Sequence, residues 1–121
     1  MSSLNRGMTG LPIAALGAVG ALAVMAAEMP RTLLTSVRHR HVVEIRGMAF
    51  HPEVLQLQRG DTVVWINRDI VPHTATASKA SGWDTGALSQ GQSGQYVVRH
   101  QGADPYYCRL HPTMQGKLIA R

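Results

Sequence analysis

Hydrophobic and polar residues alternate along much of the chain after residue 41, most clearly between residues 54 and 67. There the apolar side chains recur around glutamine, threonine and asparagine, and residues 59–61 (RGD) separate two such runs. A period of two is typical of β-strands with one buried face, and Gly-Asp is a common turn pair. The pattern predicts two strands joined by a turn. Their apolar positions are Val54, Leu55, Leu57, Val63 and Trp65.

The same texture returns in short segments rich in Val, Ile, Thr and aromatic residues, separated by Gly, Asp, Asn, Ser and Pro. No stretch after residue 41 shows a helical stripe. Several short strands in about 80 residues predict an all-β fold, an antiparallel sandwich with Greek-key connections. Residues 78–95 are the least regular part, and we expect a long connection there with one short strand around Trp83. The predicted strand segments are HVVEIRGMAF, EVLQLQRGDTVVWINRD, PHTATA, GQYVVRHQ, PYYC and GKLIAR.

An apolar run precedes this domain. Residues 11–27 (LPIAALGAVGALAVMAA) contain no charged side chain and follow a polar stretch whose one basic residue is Arg6. This order, ending in the small residues Ala26 and Ala27, is typical of a secretory signal peptide. The run also reaches the lower limit of about 17 residues for a membrane-spanning helix. We expect residues 1–27 to be a signal peptide or a membrane anchor, favour cleavage, and place the protein in the periplasm or on the membrane facing it.

Residues 28–40 have no clear period and are interpreted as a linker, with the folded domain at residues 41–121. Residues 28–121 carry 11 basic and 7 acidic side chains. Such a mildly basic balance favours transient contact with acidic protein surfaces. Nucleic acid is not expected as a partner, because the basic residues are dispersed and aromatic residues make up only 5% of the chain. We expect a monomer.

The one cysteine, Cys108, lies in the stretch YYCRLHPTMQG, residues 106–116. An exported chain with a single cysteine cannot form an internal disulfide, and a lone thiol is open to oxidation unless it is buried or binds a metal. His111 and Met114 follow it at intervals of three residues, and Pro112 favours a turn that would fold both back towards the sulfur. Thiolate, imidazole and thioether together favour copper over zinc.

A copper site with two imidazoles needs one more histidine. His73 is the candidate, because the preceding Pro72 would hold it in a rigid turn at a strand end. The two motifs GDTVVWINRDIVPH (residues 60–73) and YYCRLHPTMQGKLIA (residues 106–120) resemble those of the blue copper proteins called cupredoxins, and most of all the amicyanins. The short C-x-x-H-x-x-M loop with proline after the histidine carries the closer likeness. The resemblance runs from about residue 42 to the C-terminus.

The resemblance implies one copper ion that cycles between Cu(I) and Cu(II), in an electron carrier that serves transient redox partners. It implies that His73 and His111 are imidazole ligands, Cys108 the thiolate ligand and Met114 a weak axial ligand. An enzyme would need a second copper centre with an open position, and the sequence offers no second complete ligand set. Copper trafficking stays open as the alternative, since composition does not separate carrying electrons from carrying ions. The resemblance also implies that His111 lies near the surface within an apolar patch, with Leu110, Pro112 and Thr113 as candidates.

Two positions depart from the family's pattern. Thr74 stands where an asparagine commonly joins the two ligand loops, and we expect its hydroxyl to form a similar bridge and its backbone N–H to reach the sulfur. Leu110 stands where a proline often precedes the ligand histidine. The H-x-H pair of His39 and His41 is interpreted as part of a solvated basic arm. In the strand before Cys108, alternation predicts Tyr106 inward and Tyr107 outward.

Overall fold

The computed structural model describes residues 36–80 and 82–121, and these residues form two four-stranded β-sheets. The predicted signal peptide or anchor at residues 1–27, with its hydrophobic run, lies outside the described residues, as does most of the predicted linker. Within the described ranges no helix is long and apolar enough to cross a membrane. In chain order the strands are β1 (Arg40–Arg46), β2 (Ala49–His51), β3 (Val54–Leu57), β4 (Thr62–Asn67), β5 (Thr76–Ala77), β6 (Ser93–Val97), β7 (Gly102–Tyr107) and β8 (Gln115–Ala120).

The two sheets confirm the predicted all-β Greek-key sandwich. One sheet has the order β2-β1-β4-β6 and the other β3-β8-β7-β5, so the chain crosses repeatedly between them. The turn at residues 59–61 makes one such crossing, since β3 and β4 belong to different sheets. Four of the six strand pairings in the described ranges are antiparallel, as expected, but β1 with β4 and β3 with β8 are parallel, which the prediction of an antiparallel sandwich missed. Alternation reports which face of a strand is buried but not the direction of its neighbour.

The core lies between the sheets and is built from the alternating apolar positions. Val63 and Trp65 of β4 are fully buried, as the sequence pattern predicts. The Trp65 ring stacks on Trp83 at a centroid distance of 4.9 Å and meets Tyr106 edge to face at 5.4 Å. Each large side chain buried in this way contributes on the order of 1.5–3 kcal/mol to stability. Since Tyr106 is two residues from Cys108, the aromatic core directly supports the strand that leads to the cysteine.

The long connection between β5 and β6 forms backbone hydrogen bonds with the segment that carries His73. The N–H of Leu88 donates to the carbonyl of His73 (2.7 Å), and the N–H of His73 donates back to Leu88 (3.1 Å). Thr76 and Asp84 form a second isolated bridge. The predicted strand around Trp83 was wrong, because these are single bridges and Trp83 belongs to no strand. The connection is irregular, yet it shapes the wall beside His73.

Asp61 fastens the start of β1 to the turn before β4. Its buried carboxylate accepts the backbone N–H groups of His39 (2.9 Å) and Gln58 (3.0 Å) and lies 2.9 Å from Nε2 of His41. Burial works against ionisation, but these hydrogen bonds outweigh it and lower the pKa of Asp61 to about 2. The predicted solvated arm therefore describes the exposed His39 ring but not the backbone of residues 39–41, which is part of the fold.

Replacing Asp61 with Asn is expected to lower the free energy of unfolding at pH 7 by about 2 kcal/mol, because hydrogen bonds to a charged acceptor are lost. The folded-state pKa lies below the ordinary value of 3.8, so the contribution of the ionised group is complete above about pH 4 and is lost as pH falls towards 2. Urea unfolding at several pH values should show the gap between wild type and variant closing over that range. Glu53→Gln, at an exposed carboxylate, is the control and should show no such closing.

Candidate metal centre

Three donor atoms from two distant parts of the chain meet in one place. The sulfur of Cys108 lies 3.8 Å from Nδ1 of His73 and 3.7 Å from Nδ1 of His111. A ligand atom of each residue lies within 4.8 Å of the others, and within the described ranges this is the one such group of histidine, cysteine and carboxylate side chains. His73 and Cys108 are fully buried, whereas His111 is partly exposed. The cluster is therefore shielded from solvent at His73 and Cys108 and partly exposed to solvent at His111.

The loop from Cys108 to Met114 is held by its own backbone. The N–H of His111 donates to the carbonyl of Cys108 (3.2 Å), and the N–H of Met114 donates to that of His111 (2.9 Å). The N–H of Cys108 in turn donates to the carbonyl of Met114 (3.1 Å). These bonds form the turn that the sequence predicts around Pro112. Met114 is buried with the core residues and is tied through the backbone to both Cys108 and His111.

Asp69 orients the ring of His73. Nε2–H of His73 donates to the Asp69 carboxylate (2.8 Å), which leaves the lone pair of Nδ1 facing the sulfur. The carboxylate also accepts the N–H groups of Gly47 (2.7 Å) and Met48 (2.9 Å). Burial opposes its ionisation, but the bonds from Met48, His73 and Gly47 outweigh this and lower the pKa of Asp69. Sequence reasoning missed this residue, although an acidic side chain four positions before a candidate ligand histidine was a usable signal.

Asn67 holds the loop between β4 and His73. Its side-chain amide donates to the carbonyls of Val71 (2.9 Å) and Leu88 (2.8 Å), and its carbonyl oxygen accepts the N–H of Asp69 (2.9 Å). A fully buried asparagine with its donors and acceptor paired fixes the backbone around it. The loop thereby places Asp69 where its carboxylate can meet the ring of His73.

Thr74 joins the two loops that carry the donor atoms. Its backbone N–H donates to the sulfur of Cys108 (3.3 Å), and its hydroxyl oxygen accepts the N–H of Arg109 (2.8 Å). Both contacts were expected of a threonine at this position, and the structure confirms them. Hydrogen bonds to a thiolate lower the electron density on the sulfur, so they affect the redox behaviour of any metal bound there.

Tyr106 and Tyr107 lie on the faces that the sequence predicts, and the H-x-H pair lies away from the Cys108 cluster. Tyr106 is 1% exposed and Tyr107 only partly buried, which confirms the inward and outward assignment. His39 and His41 contact Asp61 rather than the Cys108 cluster. In the part of the chain that the structure describes, the candidate ligands are thus His73, Cys108, His111 and the adjoining Met114.

The family model of copper-binding proteins of the plastocyanin/azurin family matches residues 37–121. The chain belongs to this family. The matched range contains both donor-bearing loops and every strand of the two described sheets. The predicted resemblance to the cupredoxins is confirmed.

Individual relatives agree with the family match. Amicyanin from Paracoccus denitrificans is 32% identical over 114 residues, which cover 88% of this chain and 87% of the relative. Amicyanin from Paracoccus versutus is 25% identical over 125 residues, covering 97% and 95%. Among solved structures, two methionine-to-alanine mutants of amicyanin, both in the Cu(I) form, superpose with TM-scores of 0.64 and 0.65. Their identities are 27% and 26%, with 68% and 73% of this chain and 82% and 88% of those chains covered.

The donor cluster fits copper. With bonds of about 2.0 Å to nitrogen and about 2.3 Å to sulfur, as in zinc sites, two donors about 120° apart on one metal ion lie about 3.7 Å apart. The observed separations between the Cys108 sulfur and the two imidazole nitrogens are 3.7 and 3.8 Å. One thiolate and two imidazoles in a trigonal arrangement are the donor set of blue copper sites. Copper is accordingly the cofactor of this protein.

Proposed function

We propose that the protein is an exported one-electron carrier that holds a single copper ion in a type 1 site. The proposed ligands are Nδ1 of His73, Sγ of Cys108 and Nδ1 of His111, with the thioether of Met114 as a weak axial ligand. The observation that carries the proposal is the approach of one sulfur and two imidazole nitrogens within 4.8 Å of one another. The burial of Met114 beside them supports the fourth assignment.

A carrier works best when its site does not rearrange on gaining or losing an electron. Copper, when bound, supplies the Cu(I)/Cu(II) couple. The protein's contribution is to hold the donors still: Asp69 fixes the ring of His73, Thr74 binds the sulfur of Cys108, and the turns of residues 108–114 are closed by backbone hydrogen bonds. With three strong donors and Met114 as the fourth, no position is left for a substrate, so we propose a carrier and not an enzyme.

Electrons would enter and leave through His111, the partly exposed member of the cluster. Leu110 beside it is 47% exposed, and Pro112 and Thr113 are exposed as well. Ile70, in the loop that leads to His73, is 84% exposed. These apolar surfaces support a small, transient contact with a redox partner, since such encounters lie at the low end of interface size. The net basic charge of residues 28–121 supports an acidic surface on that partner.

The site supports electron transfer more than copper trafficking. Both His73 and Cys108 are fully buried, so release of the ion to an acceptor would require the two ligand loops to separate. The same loops are joined through Thr74, which binds both Cys108 and Arg109. A protein that delivers copper needs ligands that can dissociate from the ion one at a time.

Export and location are part of the same proposal. Residues 1–27 would serve as a signal peptide or membrane anchor and residues 28–40 as the linker, with the copper domain, monomeric, in the periplasm or facing it. The buried position of the single thiol suits an oxidising compartment, because it shields the sulfur from oxidants.

The test of the proposed function is the visible spectrum and voltammetry of the purified protein after addition of Cu(II). We expect an intense thiolate-to-copper band and a reversible one-electron wave. A colourless, redox-silent product would contradict the proposal. Rapid transfer of the ion to a copper-free acceptor protein, without electron exchange, would favour trafficking instead.

A further inference from the structure

A row of hydrogen bonds extends from the ligand loops to a surface ion pair. The hydroxyl oxygens of Thr74 and Thr76 lie 2.9 Å apart, and the Thr76 hydroxyl donates to Oδ1 of Asp84 (3.1 Å). Oδ2 of Asp84 accepts Nε–H of Arg109 (2.9 Å). The backbone N–H of Arg109 donates to the Thr74 hydroxyl, so these hydrogen bonds form a closed ring. Arg109 follows Cys108 directly, and the backbone N–H of Thr74 donates to the Cys108 sulfur, so the ring adjoins the cysteine at two points.

Both branches of this ring of hydrogen bonds run from Arg109 to Asp84. The Thr74 hydroxyl oxygen accepts the N–H of Arg109, and its O–H donates to the hydroxyl oxygen of Thr76. The O–H of Thr76 in turn donates to the Asp84 carboxylate. An ionised carboxylate only accepts, so Asp84 fixes the direction of both hydroxyl groups. Burial opposes its ionisation, but the bonds from Gly86, Thr76 and Arg109 outweigh this and lower the pKa of Asp84. Thr74 is fully buried and Thr76 is 9% exposed, so water does not readily replace either contact.

The irregular connection between β5 and β6 places Asp84 beside the histidine segment. The N–H of Ala75 donates to the hydroxyl of Thr85 (3.0 Å), and the N–H of Thr85 donates to the carbonyl of Ala75 (3.0 Å). The residue next to Asp84 is thus clamped to the residue between Thr74 and Thr76. The clamp therefore keeps the backbone of Asp84 beside Thr76, within reach of its hydroxyl.

We propose that Thr76 and Asp84 are positioning residues of the copper site, which hold Thr74 so that its N–H stays on the sulfur of Cys108 and thereby raise the reduction potential. The inference rests on the proposed electron-carrier function. Hydrogen bonding around the cysteine sulfur tunes the potential of such sites, because charge withdrawn from the thiolate disfavours Cu(II). Neither residue contacts a donor atom, so both act through Thr74.

The central experiment compares Thr76→Val, which keeps the shape but removes the hydroxyl, with Thr76→Ser, which keeps the hydroxyl. In the metal-free protein, amide hydrogen exchange at Arg109 should become about tenfold faster in Thr76→Val, the factor expected for loss of one hydrogen bond. In the copper-loaded protein the midpoint potential should fall and the thiolate-to-copper band should shift. Thr76→Ser should restore the exchange rate, the potential and the band, which a purely packing role of the methyl group would not predict.

A second comparison addresses Asp84 with a matched surface control. Asp84→Asn should also speed exchange at the Arg109 amide in the metal-free protein, because the ion pair with Arg109 and the fixed acceptor are lost. Glu44→Gln removes the same charge from a similarly exposed ion pair, Glu44 with Arg68, and should leave that amide unchanged. Equal effects of the two substitutions would contradict the inference, since the effect would then come from surface charge.

The outcomes separate this inference from the function on which it rests. A wild-type protein with the thiolate-to-copper band, but with unchanged Arg109 exchange and unchanged potential in Thr76→Val, overturns the inference alone. A wild-type protein that takes up Cu(II) without the band overturns the proposed function and the inference with it. Amide exchange in β4 and β7 reports whether the sandwich of Thr76→Val is intact. The expected result is faster exchange at Arg109 while exchange in those strands stays unchanged.

Discussion

Cys108→Ser is expected to abolish the intense visible band and to weaken copper binding by far more than the 10–100-fold typical of losing an outer hydrogen-bond partner. A serine hydroxyl at neutral pH stays protonated and does not replace a thiolate as a ligand. Serine has a similar volume, and the N–H of Thr74 keeps a possible acceptor, so the fold should survive. Visible absorption after Cu(II) addition and competition with a copper chelator measure the two effects.

Histidine variants provide the matched control for this result. His111→Ala should weaken or bleach the band, because it removes one of the two imidazole nitrogens near the sulfur. His100→Ala changes an exposed histidine outside the donor cluster and should leave colour and affinity as in wild type. Colour retained in Cys108→Ser, or lost equally in His100→Ala, would contradict the assignment of the ligands.

Gly116→Ala is expected to lower the free energy of unfolding by about 1–3 kcal/mol, the usual cost of overpacking a core. Gly116 of β8 lies opposite Tyr106 of β7, and a Cβ at this glycine would overlap the tyrosine ring. The ring has little room to move, since it is packed against Phe50 at 4.7 Å and Trp65 at 5.4 Å between centroids. Urea unfolding of the metal-free protein measures the change without any contribution from copper.

Tyr106→Phe tests how much of this cost comes from the tyrosine hydroxyl. The Tyr106 hydroxyl is among the atoms that the new Cβ would overlap, and within the described ranges it is buried without a hydrogen-bond partner. Burial also raises the pKa of Tyr106 to about 12, so the group stays neutral. Tyr106→Phe alone should cost little, and in the Gly116→Ala background it should recover part of the loss, with a coupling of about 0.5–3 kcal/mol. Strictly additive effects would show that the Tyr106 hydroxyl does not contribute to the cost of Gly116→Ala.

The strand pattern was accessible from sequence because it depends on local alternation. Leu57 of β3 and Val63 and Trp65 of β4 are buried between the sheets, as the alternation predicts. Val54 was also predicted as an apolar strand position but is 50% exposed, because it lies on the opposite face of β3 from Leu57. Where alternation fails, the prediction failed: Trp83 suggested a strand, yet its segment forms isolated bridges that depend on the neighbouring histidine segment. A bridge formed with a distant partner leaves no periodic trace in its own residues.

In the site, the candidate ligands could be predicted from the sequence, whereas the acidic residues that hydrogen-bond around them could not. Spacing within a seven-residue loop, together with the chemistry of sulfur and imidazole donors, made Cys108, His111 and Met114 candidate ligands, and a proline-led histidine added His73. Asp69 and Asp84 were not predicted. Each acts through hydrogen bonds whose other ends are set by separate loops, to Gly47 and Met48 for one and to Arg109 for the other.

By itself, the sequence determined that the chain forms a β-sandwich with a copper-type donor set, since strand periodicity and ligand spacing are properties of neighbouring residues. The tertiary structure alone decided that β1 runs parallel to β4, that the Asp69 carboxylate meets the ring of His73, and that the Asp84 carboxylate meets the hydroxyl of Thr76. These depend on which loops meet across the sandwich. That choice is made by the packing of the whole core, and no short stretch of residues encodes it.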